Sequence, residues 1–234
     1  MRRRVYLLRH AEAAYFSRAS APVDPAQVAL AEVGLEQARA AGRALRDVRF
    51  DRVLTSGLPR TVRTAELVVE QLAQPPADSV FHCDPDLREL RPGDLDAVRD
   101  EDLESSFLAA WRGSPPPDAA FLGGETVGSL VDRVGRAMAR LYVDQGWDTL
   151  LLVAHGGTNR AILSAALAGP GAFFGHLEQS PGCINILDAG ADFVVRAVNL
   201  TPYDPVQEGP RTTTLERMLE QFRAFRRGGW SEPR

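Results

Sequence analysis

Two histidines and two arginines stand where short apolar stretches of the sequence end. Arg9 and His10 follow the first such stretch, and Arg60 comes soon after the second. His155 ends the most apolar stretch of the chain and is followed by Gly156-Gly157. Because His10 and His155 are far apart in the sequence, only the fold can bring these side chains into one site.

These residue types suit the transfer of a phosphoryl group. A phosphoryl group in flight spreads its charge over three oxygens, which the planar guanidinium groups of Arg9 and Arg60 can hold. A neutral imidazole is a good nucleophile for phosphorus, and nearby arginines would lower the pKa of His10 and keep it neutral. The backbone N–H groups of Gly156 and Gly157, at the start of a helix, could bind the anion as well. Glu89 is the candidate acid that protonates the leaving oxygen.

Short apolar runs alternate with helical patterns along most of the chain. This alternation predicts an α/β fold, a three-layer α/β/α sandwich with a mostly parallel central sheet. Ligands of such sheets bind beyond the carboxyl ends of the strands. Arg9-His10, Ser56-Gly57 and His155-Gly156 each follow a strand, so all three would lie on the same edge of the sheet.

The predicted elements can be assigned along the chain from apolar spacing and from helix start signals. Strands are predicted at 5–8, 53–54, 150–154, 184–187 and 193–198, and helices at 30–46, 59–73, 99–111, 126–143 and behind the capping box of Thr213 and Glu216. Residues 74–124 are the least regular part. We expect one domain over residues 1–234, with an irregular insertion at about 90–124 that lies over the site.

Composition excludes several classes of function. The net charge of −4 argues against a general nucleic-acid binder. The two cysteines are too few for a disulfide framework, which favours a reducing compartment. The N-terminal apolar stretch is too short for a signal peptide, and no stretch is long enough to span a membrane. A cytoplasmic enzyme without a membrane or nucleic-acid partner is therefore expected.

Several motifs, taken together and in order, resemble those of the histidine phosphatase superfamily, in the branch with an Arg-His-Gly signature. This family includes the cofactor-dependent phosphoglycerate mutases. The similar segments are Leu8-Arg9-His10-Ala11-Glu12, Gly34-x-x-Gln37-Ala38, Ser56-Gly57-Leu58-Pro59-Arg60-Thr61-Val62-Arg63-Thr64-Ala65, Leu87-Arg88-Glu89, Gly124-Glu125-Thr126 and Val153-Ala154-His155-Gly156-Gly157. The resemblance implies a phosphoglycerate mutase-like fold.

The resemblance also implies a role for each site residue. His10 would become the phosphohistidine, and Arg9, Arg60 and His155 would hold the phosphoryl group. Glu89 would donate a proton and then activate water. No metal and no cofactor would be needed.

Three positions depart from the family pattern. Ala11 replaces the signature glycine, as it does in short phosphohistidine phosphatases of the superfamily. Phe16 stands where many members place a phosphate-contacting asparagine, a contact that Ser17 could supply instead. Leu90 follows Glu89 where the glycolytic mutases have an arginine, which favours a phosphatase over a mutase.

The leading prediction is a phosphomonoester phosphatase that acts on a small phosphorylated metabolite. Two alternatives remain, a phosphoglycerate-type mutase and a pseudoenzyme that binds phosphate without turnover. The mutase would have to retain a bisphosphorylated intermediate, for which the insertion offers few basic residues: Arg91, Arg99 and Arg112. Specificity would come from Tyr15, Phe16 and the insertion. The sequence leaves the substrate open, and it leaves open whether the chain forms a homodimer.

Overall fold

The computed structural model describes residues 1–15, 24, 26–76, 81–94, 97–209 and 211–227. Phe16 and Ser17, which the sequence suggested for substrate contacts, lie outside the described residues. The strands are β1 (Arg3–Arg9), β2 (Arg52–Thr55), β3 (His82–Cys83), β4 (Thr149–Ala154), β5 (Ile184–Ala189) and β6 (Phe193–Leu200). The helices are α1 (Glu32–Ala44), α2 (Pro59–Val69), α3 (Leu103–Leu108), α4 (Val127–Val143), α5 (Gly156–Ala168) and α6 (Thr214–Arg226).

The six strands form a single sheet in the order β3-β2-β4-β1-β5-β6. The first four strands in this order are parallel, and β5 and β6 are antiparallel to their neighbours. The predicted α/β fold with a mostly parallel sheet is thus confirmed. Since β2, β4 and β1 are adjacent and parallel, their carboxyl ends lie side by side at one edge.

Alternate residues of the central strands point to opposite faces of the sheet. In β4, Leu150 and Leu152 pack into the core beside α4 and α5, whereas Leu151 and Val153 pack into the core beside α1 and α2. Burial on both faces explains why this strand is apolar without interruption. The two cores make the three layers that the sequence predicted.

Some predicted boundaries shift at helix ends. The helix predicted at 59–73 ends at Val69, because the next turn tightens: the N–H groups of Gln71 and Leu72 donate to carbonyls three residues back. The helix predicted at 99–111 consists of 3₁₀ turns on either side of the short α3. The capping box of Thr213 and Glu216 is confirmed at the start of α6.

The irregular region packs against the C-terminal helix. Leu103, Phe107 and Leu108 of α3 share a small apolar core with Leu219 and Phe222 of α6. The end of the region then reaches the carboxyl edge of the sheet, where the indole of Trp111 lies beside Gly157. Within the part of the chain that the structure describes, no helix is long and apolar enough to cross a bilayer.

Candidate active site

The structure brings Arg9, His10, Arg60 and His155 together at the carboxyl edge of the sheet. Arg9 ends β1, His10 follows it, Arg60 lies in the first turn of α2, and His155 links β4 to α5. All four are buried, with 7%, 2%, 2% and 0% of their surface exposed. The two imidazole rings lie 5.1 Å apart between centroids, at 64° to each other.

The hydrogen bonds of His10 assign its tautomer. Nδ1 lies 2.8 Å from the carbonyl oxygen of Ala11, which can only accept, so the neutral ring carries its proton on Nδ1. The lone pair of Nε2 then faces Arg60, whose Nε donates to it at 3.4 Å. The N–H of Ala11 donates to the hydroxyl of Thr64, which holds this turn against α2. Nε2 is therefore the unprotonated nitrogen, and it faces a guanidinium.

The pKa values of both histidines are lowered well below the ordinary value of 6.5. Burial is the largest cause for each, because the uncharged ring is favoured away from water. The positive charges of Arg60 and Arg9 add to the effect. The sequence had assigned this lowering to the arginines, whereas in the structure they come second to burial. The lowered pKa favours the neutral form of His10, which is the form of an imidazole that can act as a nucleophile.

A serine orients the second histidine. Ser56 Oγ lies 2.7 Å from Nε2 of His155, and the hydroxyl of Thr61 lies 3.1 Å from Ser56 Oγ. Nδ1 of His155 is buried and has no partner among the described residues. This nitrogen is therefore the one available to a bound group. From the sequence, Ser56 was expected at the same edge of the sheet as His155 but had no assigned role, because nothing local showed that the two side chains would be bonded.

The arginines are positioned differently. Arg9 donates from Nη1 to the backbone oxygen of Gln179 at 2.5 Å, and its buried Nε has no partner within the described ranges. The guanidinium of Arg60 lies 5.8 Å from the ring centre of Tyr15. Tyr15, expected to influence specificity, thus lies at the site. Gln179 was not predicted, since a lone buried glutamine leaves no sequence pattern.

Glu89 is held at the site by the backbone of Gly157, in the pair of glycines that follows His155. The N–H of Gly157 donates to both carboxylate oxygens of Glu89, at 3.0 and 2.9 Å. The sequence had assigned this N–H to the phosphoryl group, but in the structure it holds Glu89. A Cβ on Gly156 would lie 3.7 Å from Glu89 Oε2 and 3.5 Å from Arg9 Nε, so both side chains lie next to Gly156. The backbone N–H of Gly156 is still predicted to donate a hydrogen bond to the phosphate.

A further arginine near the site was missed by the sequence reasoning. Arg160 of α5 is 4% exposed and donates to the carbonyl of Gly175. Burial lowers its pKa to about 10. A Cβ on Gly156 would lie 3.1 Å from its Nη1. A charged residue inside the apolar stretch of α5 was the available signal.

Among the described residues, no group of three or more His, Cys, Asp or Glu side chains is placed to hold a metal ion. The expectation that the chemistry needs no metal stays a prediction.

The family model of the histidine phosphatase superfamily (branch 1) matches residues 5–201, which is most of the chain. The chain belongs to this superfamily. The match includes Arg9, His10, Arg60, Glu89 and His155, so the resemblance of the motifs is confirmed as membership.

Relatives within the superfamily include phosphatases and mutases. The adenosylcobalamin/alpha-ribazole phosphatase of Salmonella typhimurium is 31% identical over 83% of this chain and 95% of the phosphatase. A 2,3-bisphosphoglycerate-dependent phosphoglycerate mutase from a Methylobacterium species is 36% identical, but only over 57% of this chain and 66% of the mutase. The crystal structure of the alpha-ribazole phosphatase from Shigella flexneri matches with a TM-score of 0.63, at 27% identity, over 84% of this chain and 96% of that one.

Proposed function

We propose that this protein is a metal-independent phosphomonoester phosphatase that works through a phosphohistidine on His10. The observation that carries the proposal is the orientation of His10: its Nδ1 is held by the Ala11 carbonyl, and its Nε2 faces Arg60. Burial and the arginines keep the ring neutral. A neutral nucleophile aimed into a cationic pocket suits attack on a phosphate ester.

In the first step, Nε2 of His10 attacks phosphorus and forms the N–P bond. The P–O bond to the alcohol breaks, and the leaving oxygen takes the proton of Glu89. Arg9, Arg60 and the unpartnered Nδ1 of His155 bind the oxygens of the group in transfer. These contacts matter most in the transition state, where charge spreads over those oxygens.

In the second step, Glu89 acts in the opposite direction. Its carboxylate accepts a proton from a water molecule while the water oxygen attacks phosphorus. The N–P bond breaks, inorganic phosphate leaves, and His10 recovers its neutral ring. One carboxyl group thus serves as acid and then as base, and the cycle consumes one water and one ester.

The described residues of the insertion support a phosphatase over a mutase. Leu90, where the mutases have an arginine, is 1% exposed and packs in the core. The three arginines that the insertion offers for a second phosphate are all exposed, and each pairs with an acidic neighbour. The pairs are Arg91 with Glu125, Arg99 with Glu101 and Asp102, and Arg112 with Glu104. A second phosphate of a retained bisphosphate would have to compete with these pairs.

The substrate is proposed to be a small phosphorylated metabolite. The match with the Salmonella typhimurium phosphatase extends over nearly the whole length of that enzyme. A substrate panel should therefore begin with alpha-ribazole-5'-P. The panel should also contain 3-phosphoglycerate, assayed with and without added 2,3-bisphosphoglycerate. Comparison of these two assays tests the mutase alternative.

The proposal is tested by trapping the phosphoenzyme. The protein is mixed with nitrophenyl phosphate in the presence of a chelator and denatured in alkali, since phosphohistidine is labile in acid. We expect turnover with chelator present and one phosphoryl group, mapped to the peptide that contains His10. A protein that binds inorganic phosphate but yields neither turnover nor a phosphoenzyme with any member of the panel would be the pseudoenzyme instead.

Replacing Gly157 by alanine is expected to lower kcat on an alkyl phosphate by about 100-fold, the smaller end of what a general acid contributes. The new Cβ would overlap Glu89 Oε1 and lie 2.8 Å from Trp111 Cη2, so Glu89 must move away. The control is Gly135→Ala on α4, where nothing lies within 4 Å of the new Cβ. Equal activity of the two variants would show that the contact between Gly157 and Glu89 has no catalytic role.

A further inference from the structure

Glu125, in the segment Gly124-Glu125-Thr126, has no role in the chemistry proposed so far. Its side chain is 2% exposed, which is unusual for a carboxylate unless it is paired. The main partner is Arg133 of α4, which is 11% exposed and donates from Nε and Nη2 to the two carboxylate oxygens, at 2.7 and 2.9 Å. The exposed Arg91 lies farther away, at 3.7 Å. This fork-to-fork pair is strong and fixed in direction.

The Arg133 guanidinium also binds the backbone of the loop that contains Glu89. Nη1 donates to the carbonyl oxygens of Asp86 and Arg88, each at 2.7 Å, and Nη2 donates to the carbonyl of Glu89 itself at 2.9 Å. One side chain therefore binds three carbonyls within four residues. This segment is a 3₁₀ turn and a loop, so its own backbone lacks the regular hydrogen bonds of a strand or an α-helix.

Glu125 completes the arrangement from the other end of the loop. Its Oε2 accepts a hydrogen bond from the N–H of Arg91 at 3.0 Å. The backbone is thus held on both sides of Glu89, by Arg133 before it and by Glu125 after it. The carboxylate of Glu89 is held separately, by Gly157.

We propose that Arg133 and Glu125 are positioning residues that aim Glu89 at the leaving oxygen. They act through the backbone of residues 86–91 and touch no substrate. The inference rests on the proposed function, in which Glu89 is the acid. A shift of about 1 Å in a catalytic group is enough to cost a large share of its contribution to the rate.

The leaving group provides a readout that a purely structural role would not change. Nitrophenolate leaves without protonation at neutral pH, whereas an alkoxide needs the proton of Glu89. We therefore expect Arg133→Lys, which keeps the charge but loses the fork, to lower kcat/KM for an alkyl phosphate by about 10- to 100-fold. The same variant should change kcat/KM for nitrophenyl phosphate by less than about threefold.

The matched control lies on the same helix. Arg140 also reaches the loop, but it pairs with the half-buried carboxylates of Asp84 and Asp86 and, among the described residues, has no hydrogen bond to the backbone near Glu89. Arg140→Gln is expected to leave the ratio of aryl to alkyl activity unchanged. If Arg133→Lys does not fold, the double variant Arg133→Gln with Glu125→Gln removes both charges together and avoids a buried unpaired carboxylate.

Adding Arg133→Lys to Glu89→Gln separates the two proposals. Glu89→Gln alone should raise the aryl to alkyl ratio, and Arg133→Lys should then have no further effect on it, because both act at one step. If Glu89→Gln raises the ratio but the Arg133 variants only lower Tm, the positioning role is overturned and the function stands. An unchanged ratio in Glu89→Gln overturns the acid role of Glu89 and the positioning role with it, whereas the phosphohistidine on His10 is tested separately by trapping the phosphoenzyme.

Discussion

Alanine at position 10 is expected to lower the turnover of nitrophenyl phosphate by about 10⁴-fold or more, since removing a nucleophile costs nearly all of the rate. His155 is not expected to replace it, because its Nε2 is bonded to Ser56 and its Nδ1 is assigned to the oxygens of the transferring group. Arg9 and Arg60 remain, so inorganic phosphate should still bind. The measurement is steady-state turnover together with alkaline trapping of the phosphoenzyme, which should disappear.

The control for this variant is His82→Ala, which removes an exposed histidine from the edge strand β3. It should leave turnover and trapping unchanged. A thermal melt of both variants shows whether the pocket remains folded after the loss of the buried ring. Retention of more than about a tenth of the activity in His10→Ala would rule out a covalent intermediate on this residue.

Arg60→Gln should have the second largest effect, for two separate reasons. Loss of a guanidinium that binds the transferring oxygens is expected to lower kcat/KM by about 10²- to 10³-fold, the range found for a single oxyanion donor. In addition, the positive charge of Arg60 lowers the pKa of His10, so its removal raises that pKa. The variant should then lose activity on the acidic side at a higher pH than the wild type, because protonated His10 cannot attack.

Arg63→Gln is the matched control on the same helix. Arg63 is exposed and pairs with Glu66 and Glu70, away from the pocket. Its replacement should change neither the rate nor the pH profile measured between about pH 4 and 8. If Arg60→Gln loses activity on the acidic side of its pH profile at the same pH as the wild type, the group that titrates there is not His10.

Much of the fold could be predicted from the sequence, because it depends on local signals. The uninterrupted apolar run before His155 is typical of a strand buried on both faces, and the capping box of Thr213 and Glu216 is a start signal that needs no tertiary contact. Strands that alternate with helices leave few topologies, and all of them place the ends of parallel strands at one edge. For this reason Arg9, His10, Arg60 and His155 could be predicted to meet.

The site required the tertiary structure wherever a side chain depends on a partner distant in the sequence. The N–H of Gly157 was expected to bind phosphate, but a helix N-terminus attracts any anion nearby, and the fold places Glu89 there. The tautomer of His10 follows from the carbonyl of Ala11, and the orientation of His155 follows from Ser56.

The local sequence thus determines which chemical groups are present at the site. It does not determine their protonation states or their orientations. Burial lowers the pKa of His10 more than the neighbouring arginines do, and burial exists only once the layers have packed. The loop of Glu89 is not part of a strand or an α-helix, and its backbone is bound by Arg133 of a helix that follows later in the chain. Motifs predicted which groups meet, and long-range packing and hydrogen bonds decided how they face one another.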